Sequence, residues 1–245
     1  MREWRYETAT DLDQSLVERL SSFPREPEMM VYVARSCAAL LIRAWLTLYH
    51  RLEITGRERF ARGDSFVVVA NHSSHLDTAS IMSAFPLRRL HRVFPAAAQD
   101  YFFSSVPRVA FSSVVVNALP FDRHVDPEHS LEVCRHLLAN PGNVLVIFPE
   151  GTRTTSGEMA RFKLGVGFLV AGRPFPVLPC HLDGAFAAWP KGASVPRPKK
   201  IRLRIGDAVS FADLAPGKES AVEVSRVLHD AVSALAPTHS GERTR

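Results

Sequence analysis

The chain has 245 residues, of which 46% are hydrophobic and 22% charged, proportions that exclude a disordered chain and allow one sizeable folded domain. Three scattered cysteines, Cys37, Cys134 and Cys180, form no CxxC pair, which argues against a disulfide framework and fits a reducing compartment. The net charge of +5 comes without the basic and aromatic interleaving of a nucleic-acid module, so the expected partners are an anionic membrane surface and a phosphate-bearing substrate, and no nucleic acid.

Residues 1–26 read as a polar leader with a short helix from Asp11 to Ser21; Met1 to Thr10 hold no apolar signal segment. From about Glu28 to Arg51 the pattern is helical. Ala34, Cys37, Ala38, Leu41, Trp45 and Leu48 recur at three- and four-residue steps, with Arg35, Ser36, Arg43, Thr47, His50 and Arg51 on the opposite side. Two readings follow: a helix packed on the domain core, or an amphipathic helix lying in the lipid interface with its Arg and His near headgroups and Trp45 and Tyr49 at the boundary. Arg35 and Arg43 would be costly at a bilayer centre, so a spanning helix is not expected.

The β-branched run Ser65 to Ala70 predicts a buried strand, followed by the segment Asn71 to Asp77 and a helix that ends before Pro86. Ser113 to Asn117 predicts a second strand. A helix over Glu128 to Ala139 stops at Asn140-Pro141-Gly142, a turn signal. Val144 to Phe148 is a third strand, Lys163 to Ala171 a helix rich in small residues, and Phe175 to Leu182 and Ile201 to Ile205 further strands. Ser220 to Leu235 is the last helix, and the polar tail from Pro237 is expected to fray. This alternation predicts an α/β domain over 51–236, with a central mixed, largely parallel sheet flanked by helices. A membrane-associating helical segment over 1–50 precedes it, and a flexible tail over 237–245 follows.

Three segments after predicted strands carry chemistry, and the carboxyl end of a strand is where α/β sheets place their sites. The first is Asn71-His-Ser-Ser-His-Leu-Asp77. His72 and Asp77 are five residues apart, so on one helix they would point about 140° apart. They meet only if His72 sits in the loop and Asp77 in the first helical turn. An imidazole oriented by a carboxylate is a general base for a hydroxyl. Ser74 and Asp77 also have capping-box spacing, so Asp77 could serve the helix end alone. A third reading is a metal-dependent hydrolase built on His72, His75 and Asp77, with His181 or Asp183 as a further ligand. The second segment is Phe148-Pro-Glu-Gly-Thr-Arg-Thr154, where Gly151 allows close approach of a ligand and Arg153 offers a planar fork suited to phosphate. The third is Asn117-Ala-Leu-Pro-Phe-Asp-Arg123, with Arg123 a second candidate for anion binding.

Together these segments resemble the glycerolipid acyltransferase family of the lysophosphatidate acyltransferase type. His72 and Asp77 match its first motif, Phe121-Asp122-Arg123 the end of its second, Phe148 to Arg153 its third, and Pro176-Val177-Leu178-Pro179 its fourth, in the family's order. The resemblance implies that His72 deprotonates an acceptor hydroxyl, which attacks an acyl thioester, while Asp77 orients His72. It implies that Arg123, Glu150, Gly151, Thr152 and Arg153 hold the acceptor's phosphate, with Asn71, Pro176 and Pro179 in support. No metal and no cofactor are expected beyond the acyl-CoA or acyl carrier protein thioester as co-substrate. The expected acceptor is a lysophospholipid or related lipid alcohol, and the expected location cytoplasmic, peripheral or monotopic on the inner face of the membrane. Two departures stand out. Asn117 replaces the Gly that usually opens the second motif, though Asn also tolerates a left-handed backbone. Ala98 to Phe102 carries no Lys where members acting on lysophosphatidate often have one, which leaves the acceptor open.

Overall fold

The seven strands are β1 (Glu53–Thr55), β2 (Phe66–Ala70), β3 (Val93–Ala98), β4 (Leu119–Phe121), β5 (Val144–Ile147), β6 (Val177–Asp183) and β7 (Arg202–Ile205). The computed structural model describes residues 29–98, 117–121 and 127–237, and counts refer to these. The leader helix expected at Asp11 to Ser21, residues 113–116 of the expected second strand, Arg123 and the tail beyond Pro237 lie outside them. The sheet runs β1-β7-β6-β2-β5-β3-β4, and every pairing is parallel except β6 with β7. This is the expected mixed, largely parallel sheet.

All five residues of β2 are buried because the strand has parallel neighbours on both sides and helices on both faces. Its side chains alternate between two cores. Phe66, Val68 and Ala70 face one core, which takes in Leu46 of helix α1 (Met29–Leu48) and Leu76, Ile81 and Ala84 of α2 (Leu76–Ala84). Val67 and Val69 face the other, under α3 (Pro127–Ala139), α4 (Gly165–Val170) and α6 (Lys218–Ala234). A short α5 (Ala185–Ala188) follows β6. Each large side chain buried in these layers stabilises the fold by roughly 1.5–3 kcal/mol.

Both ends of α2 are secured. Its C-terminal carbonyls accept from arginines: Ser83 O and Ala84 O from Arg57 at 2.6 and 3.1 Å, and Phe85 O from Arg43. Cations at a helix C-terminus also suit the helix dipole. Its N-terminal turn carries Asp77, the favourable sign at that end.

Helix α1 reverses the expected distribution of polar and apolar residues. Arg35 is 6% exposed and donates to Asn117 Oδ1 at 3.0 Å. Arg43 reaches the Phe85 carbonyl, and His50, just beyond the helix, is buried against the Lys199 carbonyl. Burial pushes the Arg35 pKa down to about 10, so it remains cationic at neutral pH. Leu41 and Leu48, which the periodicity placed on the core side, are 73% and 81% exposed. The reading with Arg and His at lipid headgroups is therefore corrected. The polar groups point inward because buried carbonyls and the Asn117 amide need donors, and the outer face is left to Met29, Met30, Val33, Leu40, Leu41 and Leu48.

Asn117 has the left-handed backbone that its motif position requires, with φ 56. Its side-chain amide donates to His91 O and Val93 O at 3.2 and 3.1 Å, holding the turn against the start of β3.

Helices α4 and α6 approach so closely that Gly167 has no room for a side chain. A methyl there would stand 2.3 Å from the Ala221 carbonyl oxygen and 2.5 Å from its Cα. Gly167→Ala should therefore force the helices apart and cost about 1–3 kcal/mol, which a thermal melt would register as a drop of several degrees, at roughly 2–4 °C per kcal/mol. An unchanged melting temperature would contradict this packing.

Candidate active site

The carboxyl ends of β2 and β5 lie side by side, with Val69 opposite Ile147. Carrying that register three residues on puts His72 opposite Glu150. The contact is made: the His72 N–H donates to Glu150 Oε1 at 2.6 Å. The His72 carbonyl accepts the Thr154 N–H at 2.9 Å. Its ring stacks on Phe148, centroids 4.1 Å apart and 20° between planes. Main chain and ring are thus both held by the segment after β5.

His72 Nδ1 lies 2.9 Å from Asp77 Oδ2. The same oxygen accepts the Ser73 and Ser74 N–H groups at 2.6 and 2.7 Å. Asp77 is fully buried, and its Oδ1 has no hydrogen-bond partner among the described residues. An oxygen that takes two main-chain donors acts as an acceptor toward the imidazole as well, so the proton sits on Nδ1 and the Nε2 lone pair is free. The His72 side chain is 21% exposed, enough for a substrate to reach it. The helix-start contacts and the contact to the ring are therefore not alternatives, since one carboxylate oxygen makes both. Ser74 does not complete the capping box. Its hydroxyl donates to Trp189 O at 2.8 Å and accepts the Leu76 N–H at 3.2 Å.

Asn71 extends the sheet by its side chain. Its amide accepts the Leu182 N–H at 2.8 Å and donates to Leu182 O at 3.0 Å, pinning the exit of β2 to β6. Glu150 is 5% exposed, with Oε1 on His72 and Oε2 accepting the Ala160 N–H at 2.8 Å. Burial pushes its pKa up, opposed by those two N–H bonds. Its carboxylate therefore braces main chain. Gly151 turns with φ 76, Thr152 is exposed, and Arg153 lies near enough to His75 for its charge to lower that residue's pKa.

Pro179 sits within β6 opposite Val69. Pro176, expected in a supporting role, precedes the first residue of β6, and its carbonyl accepts the Val67 N–H at 3.0 Å. That is the opposite end of β2 from His72, about 20 Å along the strand direction. Arg123 falls outside the described residues. For the metal reading, no group of three His, Cys, Asp or Glu side chains gathers with ligand geometry among the described residues.

Sequence reasoning gave no role to Phe148 as the shelf under His72, to Trp189 or to Thr154. Phe148 had a usable signal, an aromatic at the mouth of a strand adjacent to the dyad's strand. The Trp189 and Thr154 contacts are made by main-chain atoms, whose partners no residue type reveals.

Residues 51–183, from just before β1 to the end of β6, match a family model described as Acyltransferase. A 1-acyl-sn-glycerol-3-phosphate acyltransferase of Chlamydomonas reinhardtii is 32% identical over 202 residues, 80% of this chain and 56% of that protein. The alpha 1-acyl-sn-glycerol-3-phosphate acyltransferase of Mus musculus is 28% identical over 179 residues, 72% of this chain and 61% of that protein. The chain thus spans less than two thirds of the length of these relatives. The crystal structure of the 1-acyl-sn-glycerophosphate acyltransferase PlsC from Thermotoga maritima matches with a TM-score of 0.65 and 24% identity, covering 86% of this chain and 81% of that one. At that identity the likeness is one of fold.

Four histidines make the fold acid-sensitive. His50, His75, His91 and His181 are all held below the ordinary value of 6.5, each chiefly by burial, and His75 is pushed down to about 4 with help from the charges of Arg153 and His72. Between pH 6.5 and about 4 the unfolded chain takes up protons that the folded chain refuses, so stability present above pH 6.5 is lost as the pH falls. Urea midpoints should decline across that window, and less so for His75→Gln. Parallel declines for the two proteins would remove His75 from this account.

Proposed function

The chain belongs to the acyltransferase family, and from that premise we propose that it transfers a fatty acyl group from an acyl thioester of coenzyme A or acyl carrier protein to a hydroxyl of a lysophospholipid such as 1-acylglycerol-3-phosphate. The observation that carries this is the His72–Asp77 contact of 2.9 Å at the carboxyl end of β2, with Nε2 left free. Nε2 removes the proton from the acceptor hydroxyl as its oxygen attacks the thioester carbonyl. The tetrahedral intermediate collapses, the C–S bond breaks, and the departing thiolate takes the proton back from His72. The acyl group ends as an oxygen ester, the carrier as a free thiol, and His72 as it began. Asp77 holds the ring's orientation and offsets the imidazolium charge while the proton is on His72. Arg153, on the turn beside His75, binds the acceptor's phosphate, and Arg123 is assigned the same task.

Both substrates carry acyl chains, and the outer face of α1 supplies a place to meet them. The apolar side chains there have no covering element among the described residues, while Arg35 and Arg43 fasten the inner face to the domain. This supports a helix docked flat on the membrane surface and not across it. Leu41→Glu and Leu48→Glu should weaken sedimentation with phosphatidylglycerol vesicles without changing the melting temperature. Full vesicle binding by both variants would exclude this face.

The direct test of the chemistry is thiol release from acyl-CoA or acyl carrier protein against a panel of lysophospholipids. His72→Ala should lower kcat by at least about 10²–10⁴-fold with the fold intact. Asp77→Asn removes the charge but keeps an oxygen for the Ser73 and Ser74 N–H groups. It should lower kcat within the same range, about 10²–10⁴-fold, with little change in KM. Undiminished turnover in His72→Ala would rule out the general-base mechanism.

A further inference from the structure

Lys163 lies across the glycine of the Glu150–Arg153 turn. A methyl built on Gly151 would stand 2.8 Å from Lys163 Nζ, 2.9 Å from Cε and 3.2 Å from Cδ. The root of the side chain is held on both sides. The Lys163 N–H donates to Pro149 O at 2.9 Å, and its carbonyl accepts the Ser225 hydroxyl at 3.3 Å. The side chain is exposed and its ammonium forms no ion pair with a carboxylate among the described residues. Glu150, the acid on the same turn, has turned both oxygens inward to main-chain N–H groups. The Arg153 charge is felt at His75. One bend therefore carries Arg153 and the exposed Thr152 and is crossed by the exposed Lys163, while its only carboxylate faces away.

We propose that Lys163 binds the phosphate monoester of the acceptor together with Arg153, and that Gly151 is required because any side chain there would displace the ammonium. The placement favours the acceptor's phosphate over those of coenzyme A. Phe148 stacks on the His72 ring and Glu150 bonds the His72 main chain, and Gly151 is the residue next to Glu150. An acceptor phosphate is separated from its reacting hydroxyl by the short glycerol carbon chain. The phosphates of coenzyme A lie a full pantetheine arm from the thioester. A cation over the residue next to Glu150, whose carboxylate bonds the His72 main chain, matches the first spacing.

The inference rests on the acyl-transfer reading for the identity of the phosphate, and its test separates the two. Lys163→Met keeps the aliphatic stem over Gly151 and removes the charge; Lys163→Gln is a second neutral variant. Each should raise the KM for 1-acylglycerol-3-phosphate by about tenfold, the effect of one lost charge-assisted contact. The donor KM should stay unchanged, as should the KM for monoacylglycerol, which lacks the phosphate, and Lys163→Arg should restore most of the affinity. An unchanged acceptor KM, an equal rise with monoacylglycerol, or a rise in donor KM alone would each overturn the assignment. Calorimetry with a short-chain 1-acylglycerol-3-phosphate gives a readout independent of turnover. In a His72→Ala background, adding Lys163→Met should weaken binding about tenfold, and equal affinity refutes the role. If that difference is found while the wild-type chain transfers no acyl group, the acyl-transfer reading falls and the phosphate site stands. If transfer proceeds while acceptor affinity is indifferent to Lys163, the phosphate site falls and acyl transfer stands.

Discussion

Three N–H donors converge on one buried oxygen, Oδ2 of Asp77: those of Ser73, Ser74 and the His72 ring. A carboxylate taken out of water is costly unless its charge is met by hydrogen bonds. Here two main-chain donors at the entrance of α2 meet much of that cost before the imidazole is counted. The helix start and the dyad are consequently one structure. The loop cannot rearrange without stranding a buried charge, and the imidazole inherits that rigidity. The proton is kept on the inner nitrogen, and the outer one faces the opening.

The dyad holds its place because of what lies across the sheet. Asn71 joins β2 to β6 with a side chain that imitates a peptide group. Glu150 joins β2 to the segment after β5, bonding the His72 N–H on one side and the Ala160 N–H on the other. Both residues sit where parallel strands end and ladder bonding stops, so their side chains satisfy main-chain groups that would otherwise be buried without partners. The turn that follows inherits its position from Glu150, and the exposed Lys163 lies across its glycine. An acid that braces the backbone from within leaves the outer surface of the same turn positive.

Helix α1 shows how tertiary demands can reverse an amphipathic pattern. Its arginines face the domain because the C-terminal carbonyl of α2 and the Asn117 amide need donors. Its leucines and methionines face out. A hydrophobic-in, polar-out rule would rotate the helix by half a turn. The link from Arg43 to Phe85 also fastens α1 to the end of α2, the helix that carries Asp77, and that from Arg35 to Asn117 fastens it to the turn before β4.

Much of the fold was legible along the chain. The β-branched runs of β2 and β5, the helices α3 and α6 and the turn at Asn140 to Gly142 all declare themselves in local pattern, and β2 and β5 are buried on both faces as parallel strands with that composition must be. Others did not: β1 has three residues, β3 is mostly alanine and proline, and β4 contains a proline, so none has a strand's propensity alone. They are strands because their neighbours pair with them. At the site, the sequence by itself determined that His72 and Asp77 could meet only across a loop and a first helical turn, because their five-residue spacing forbids contact on one helix. Only the tertiary structure decided that Glu150 turns inward, that Pro176 lies at the far end of the sheet, that Lys163 covers Gly151 and that α1 shows its apolar face outward. Each of these depends on contacts between segments distant in sequence, and such contacts are set by which backbone groups and charges must be satisfied once the strands are side by side, a condition that no local pattern records.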